Sequence, residues 1–170
     1  AADIIEPAIG KKLVGYRSPA WEFSRNTLGI LKDMGIQYSS NMMGTDCMDY
    51  LEVFGEKSDI VELPVHWILD DAAFWLYSVR LQGKCMQPLE SVEKCWKEEF
   101  DGLYEEFMEE EENGIDSDIT YVMTCHPQII GRPSRMNVLE NLVKHIFTHP
   151  NIEFVTASKA VEDFKKRHNK

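Results

Sequence analysis

Short β-branched runs alternate with amphipathic helical stripes along this chain, and few folds accommodate that alternation. Leu13–Tyr16, Ile36–Ser40, Ile60–Asp71, Thr120–Thr124 and Ile152–Thr156 read as strands from their Val, Ile, Tyr and Thr content. Helical stripes lie between them. Leu28, Leu31 and Met34 form the first, and Val92, Trp96, Phe100, Leu103 and Phe107 the second, on a helix predicted over Glu90–Glu112. Leu139, Leu142, Val143 and Ile146 form the third, and Val161 with Phe164 the last. Ser24, Ser134 and Ser158 are placed to cap these helices. Such an order implies a largely parallel sheet with outer helices, an α/β fold. Residues 41–59 carry no clear period and read as a long loop over the strand ends, and residues 72–89 as a loop with a short helical turn. The 170 residues fit one domain with a sizeable core.

The charge balance narrows the function. A net charge of −11 excludes nucleic-acid binding and adhesion to an anionic membrane, both of which need clustered Lys and Arg. No apolar run approaches the roughly 20 residues of a membrane span, and no basic segment followed by an apolar one opens the chain. Cys47, Cys85, Cys95 and Cys125 form no C-x-x-C pair, so free thiols in a reducing, cytoplasmic compartment are expected. The run Glu109–Glu112 reads as a solvated face. It opposes the dipole at its helix end, so fraying is expected there.

Three polar groups end three of the predicted strands: Arg17, the pair Asp70–Asp71, and His126 just before Pro127. Strand ends of a parallel sheet or barrel converge on one rim, where side chains reach a ligand. A histidine held by a carboxylate is a general acid or base whose tautomer the carboxylate sets. Each group also has a plainer role: a lone histidine can be structural, an Asp pair can cap a helix, and an arginine can form a surface ion pair. Trp21, Trp67, Phe74 and Trp75 offer flat faces for a sugar ring or, equally, material for the core. His145 and His149 have the i, i+4 spacing of zinc ligands. Neighbouring sequence supplies no third ligand, and a helix C-terminus favours histidine by itself, so no metal site is assigned to them. A nucleophile elbow, a phosphate loop and a dinucleotide fingerprint are all absent.

Three motifs in order resemble one family. Gly15-Tyr16-Arg17-Ser18-Pro19-Ala20-Trp21 is similar to the R-x-P motif of the polysaccharide deacetylases, the NodB-homology or carbohydrate esterase 4 group, in the branch of peptidoglycan-deacetylase-like and allantoinase-like proteins. Glu62 to Asp71 resembles the next motif, and Thr124 to Arg132 the last. The resemblance implies a partial (β/α) barrel of the NodB type and metal-assisted amide hydrolysis. It implies that His126 protonates the leaving amine, that Asp70 or Asp71 holds it, and that Arg17 orients a base aspartate. Pro19, Trp21 and Trp67 would line the substrate groove. The family's base Asp, its metal-ligand Asp and its metal H-x-x-x-H precede R-x-P, and no such residues stand before Arg17 here. A divalent metal, zinc foremost, is therefore expected of the complete family fold and not of this chain alone. The resemblance further implies a substrate that is an N-acetylated sugar or a small amide. A cyclic ureide, as for an allantoinase, and an inactive truncated domain are the alternatives. Homo-oligomerisation, or association with the missing N-terminal segment, is expected of a barrel that lacks its first strands.

Overall fold

The computed structural model describes residues 1–77 and 86–168. The chain, expected as one domain, divides into two compact units, residues 1–64 with 155–170 and residues 65–154. The prediction for 72–89 falls partly on residues 78–85, outside the described residues, as does Cys85. Cys95 and Cys125 are free thiols.

The first unit is built on four strands. β1 (Gly15–Tyr16) pairs in parallel with β2 (Tyr38–Ser39), and β2 in parallel with β4 (Glu56–Glu62). β3 (Asp49–Val53) runs antiparallel to β4, so the sheet order is β1-β2-β4-β3. The long loop expected over residues 41–59 is therefore corrected to a hairpin. Its turn is Phe54-Gly55, with φ of 54° and 79°, the two left-handed residues of a two-residue hairpin turn. Asn-Gly is the usual signal there, and a phenylalanine in its first position hides the turn from sequence reading. The strand expected to run from Ile60 to Asp71 ends at Glu62. Ile60 and Val61, adjacent residues on opposite faces of the strand, are both buried, as befits a strand covered on both faces.

Helix α1 (Ala2–Ile9) precedes the sheet and buries none of its residues. Helix α2 (Thr27–Asp33) packs Leu28 and Leu31 against Leu51, Val53 and Ile60. Met34, expected on the same stripe, is exposed beyond the helix end. Ser24 does not cap α2; it bonds Thr27 from three residues upstream. On β3, Tyr50 meets Phe164 edge to face at 5.5 Å. Phe164 and Val161 are the buried stripe of helix α7 (Ala157–His168). Thr156, not Ser158, serves its first turn, the Oγ1 accepting from the Lys159 N–H.

The second unit is mainly helical: α3 (Asp71–Trp75), α4 (Leu89–Glu112), α5 (Pro127–Ile130) and α6 (Pro133–Ile146). Its core joins Val92, Trp96 and Phe100 of α4 to Val138, Leu142 and Ile146 of α6, with Leu69, Trp75, Ile129 and Ile130. The α4 stripe follows the predicted periodicity at Val92, Trp96 and Phe100, with Leu103 and Phe107 half-buried. On α6, Leu142 and Ile146 are buried as predicted, Leu139 and Val143 are half-buried, and Val138, outside the predicted stripe, is buried. Ser134 falls inside α6, which Pro133 opens after Arg132. Helix α4 runs to Glu112, where the Asn113 side chain donates to the Glu109 carbonyl at 2.7 Å. The strand predicted over Thr120–Thr124 is reduced to one parallel bridge, Asp70 to Thr124. No strand forms at 152–156. Phe154 stacks instead on Phe147 at 4.8 Å.

Candidate active site

The Asp70–Asp71 turn and the His126 turn are held together by one bridge and one tryptophan. Thr124 N–H donates to the Leu69 carbonyl at 2.8 Å, and Asp71 N–H donates to the Thr124 carbonyl at 3.1 Å. Trp96 is fully buried on α4. Its indole N–H donates to the Ile68 carbonyl at 2.8 Å, and its own carbonyl accepts from the Tyr121 hydroxyl at 2.9 Å. Both site segments are thus pinned to the same residue of the same helix. Neither hydrogen bond can be read from sequence, because both end on backbone carbonyls.

The two aspartates have different partners. Asp70 Oδ1 accepts the Ala72 N–H at 2.6 Å and caps α3, the local role that short polar side chains favour. Asp71 is wholly buried and spends both oxygens on His126. Oδ1 lies 2.6 Å from Nδ1, and Oδ2 accepts the His126 backbone N–H at 2.9 Å. Asp70 Oδ1 is farther from that ring nitrogen, at 3.7 Å. The carboxylate therefore holds the Nδ1 proton and leaves Nε2 of a part-exposed ring for proton transfer.

Two features fix the His126 turn. Pro127 opens α5 directly after the histidine. A Cβ on Gly131 would stand 2.4 Å from the Pro127 carbonyl oxygen, so only glycine closes this turn without displacing backbone. Cys125 is not a competing nucleophile: desolvation first, then the charges of Asp71 and Asp70, raise its thiol to about 11.

In the first unit, Arg17 Nη2 donates to Ser40 Oγ at 2.7 Å. Asn41, which the sequence reading passed over, supports the same motif. Its Oδ1 accepts the Ser18 N–H at 2.7 Å and the Ser18 hydroxyl at 2.9 Å, and its Nδ2 donates to the Tyr16 carbonyl at 3.2 Å. Glu62 in turn accepts the N–H groups of Asn41 and Met42, at 2.5 and 2.8 Å. Burial raises the Glu62 pKa, against the opposing effect of those donors, the Ser39 hydroxyl and the Arg17 charge. A lone carboxylate in the apolar run Ile60–Val65 was the available signal.

The R-x-P loop carries backbone strain. Ala20 and Trp21 both have positive φ, 54° and 56°, at a cost of about 1–3 kcal/mol each. Trp21 is buried, so the expectation that its face lines a groove is corrected. Trp67 is 44% exposed and keeps an open face, and Pro19 is exposed. Phe74 and Trp75 meet the Trp96 ring at 6.1 and 5.3 Å and belong to the core.

Over 192 residues the chain is 26% identical to a peptidoglycan deacetylase of Helicobacter pylori, an alignment covering 99% of this chain and 62% of that protein. It is 22% identical to a peptidoglycan deacetylase-like protein of Gibberella zeae, covering 95% of this chain and 54% of that one. The chain is similar in sequence to peptidoglycan deacetylases and in fold to polysaccharide deacetylases. A Mycobacterium smegmatis structure provisionally named a polysaccharide deacetylase matches with a TM-score of 0.81 at 24% identity, over 98% of this chain and 54% of that one. The PuuE allantoinase structure matches at 0.79 and 17% identity, over 99% of this chain and 51% of the other. No protein-family model matches. The deacetylase-like chain thus spans about half to three fifths of the length of these relatives.

Proposed function

We propose that this chain supplies the proton-donating half of a hydrolase acting on carbon–nitrogen bonds other than peptide bonds, with an N-acetylated sugar as substrate. One observation carries the reading. A fully buried carboxylate grips a part-exposed histidine through both its ring and its backbone. In this reading His126 Nε2 gives its proton to the departing amine nitrogen as the carbon–nitrogen bond breaks, and Asp71 keeps the ring in register. Trp67 offers an apolar face to a sugar ring, and Arg17 orients the base carboxylate that the family resemblance requires. The names of the relatives support the substrate class.

The metal of the family chemistry does not fit the Asp70–Asp71–His126 group. Their donor atoms lie close together, but both Asp71 oxygens and Asp70 Oδ1 already accept hydrogen bonds. No catalytic step is routed through a metal there.

The test uses the protein as its gene encodes it, supplied with divalent metal. Acetate release from N-acetylglucosamine oligomers is expected, and ring opening of allantoin is not. The reverse outcome would favour the cyclic-ureide reading, and neither activity would support an inactive binding domain. His126→Ala should lower kcat by roughly 10²–10⁴-fold with metal content unchanged. Loss of metal in that variant would remove His126 from the acid role.

A further inference from the structure

The fold brings a third group to the H-x-x-x-H pair, from a distant part of the sequence. Asp101 on α4 places Oδ1 2.6 Å from His145 Nε2 and 3.5 Å from His149 Nε2. The two imidazoles lie 5.1 Å apart, and Phe100 and Tyr104 flank them, the Tyr104 ring 4.7 Å from that of His149. On the far side of His149, Nδ1 lies 3.2 Å from the His145 carbonyl and 3.3 Å from Thr148 Oγ1. The carbonyl can only accept, and the Thr148 hydroxyl donates to that same carbonyl at 2.7 Å, leaving its lone pairs for His149. Nδ1 therefore carries the ring proton. Nε2 of the neutral ring is then a bare lone pair turned toward a carboxylate oxygen, which is repulsive unless a cation lies between them. A backbone carbonyl holding the outer nitrogen so that the inner one is free is how ligating histidines are oriented.

We propose that Asp101, His145 and His149 bind a divalent transition cation of the zinc class, with an open fourth position, and that the ion clips α4 to α6. Two imidazole nitrogens and one carboxylate oxygen are a zinc donor set. A tetrahedral ion with bonds of about 2.0–2.1 Å needs donor spacings of about 3.4 Å. The Asp101–His149 spacing already fits, and the Asp101–His145 spacing must open by less than about 1 Å. Phe100 and Tyr104 shield one side of the group from water, which strengthens the interaction with the charged ion.

The experiment titrates zinc into the metal-free chain by calorimetry and cobalt by visible absorption, with thermal melts alongside. One equivalent of zinc should bind, raise Tm and give the d–d bands of a tetrahedral cobalt site. His149→Ala and Asp101→Asn should each weaken binding at least roughly tenfold and abolish the Tm rise, while His126→Ala leaves both intact. Asp101→Asn preserves the side-chain shape and stands in if the histidine variant does not fold. The proposal is overturned if the chain takes up no zinc, if the His149 and Asp101 variants bind it as the parent does, or if only His126→Ala loses it. None of these outcomes depends on deacetylase activity.

Discussion

At the residue scale, the two adjacent aspartates have separable roles. Asp71 lies under the histidine with no exposure, and Asp70 caps a helix. Asp71→Asn can no longer hold the Nδ1 proton and should lower kcat of the gene-encoded protein by roughly 10²–10⁴-fold. Asp70→Ala should cost about 0.5–2 kcal/mol of stability, measured by urea unfolding, and should reduce kcat less than Asp71→Asn does. Equal kinetic defects in the two variants would mean that the 3.7 Å approach of Asp70 to His126 matters as much as the 2.6 Å one. Glu62 makes a prediction in pH. Its folded pKa stands above its ordinary value of 4.5 because burial penalises the charge. The folded state thus holds the proton more tightly, so this stabilisation is full below about pH 4.5 and is lost as pH rises through the folded value. Glu62→Gln mimics the protonated form. Its stability relative to the parent in urea unfolding should therefore climb as pH rises above about 4.5 and through the folded value. A pH-independent difference would contradict the assigned cause.

At the scale of elements, the β3–β4 hairpin and α4 show how local and distant sequence share the work. The hairpin closes on Phe54, a bulky and 70% exposed residue at φ 54°. A left-handed conformation disfavours large side chains, and asparagine tolerates it. Phe54→Asn should stabilise the chain by about 0.5–1 kcal/mol, read as a higher Tm; a lower Tm would show that the Phe54 ring makes contacts worth more than the relieved strain. Helix α4 was legible from its stripe of Val92, Trp96 and Phe100, because a helix keeps its periodicity wherever it packs. The segments 120–124 and 152–156 were misread as strands for the converse reason. Their residues suit a strand, but a strand exists only through hydrogen bonds to a neighbour, and these segments find one bridge and no strand ladder respectively.

At the scale of the whole molecule, unsatisfied surface is the main feature. α1 leaves Ile4, Ile5 and Ile9 exposed. β1 ends the sheet, and its outer edge pairs with no other strand among the described residues, which invites pairing with another chain. The 170-residue chain should therefore self-associate, with a light-scattering mass that rises above 19.7 kDa as concentration increases. A mass of one chain at every concentration would argue that these surfaces are tolerated in water.

The sequence alone determined the α/β class, the α4 stripe and part of the α6 stripe, and three motifs that in their order resemble those of the polysaccharide deacetylases. Periodicity and motif spacing are properties of neighbouring residues, and they survive without coordinates. Tertiary structure decided which aspartate holds His126, that Trp21 is buried, that Asn41 and Glu62 brace the R-x-P loop, and that Asp101 meets His145 and His149. Apart from the burial of Trp21, each of these rests on hydrogen bonds between residues 21 to 55 positions apart. Such distances close only when helices and strands pack, and no local pattern in the chain encodes them.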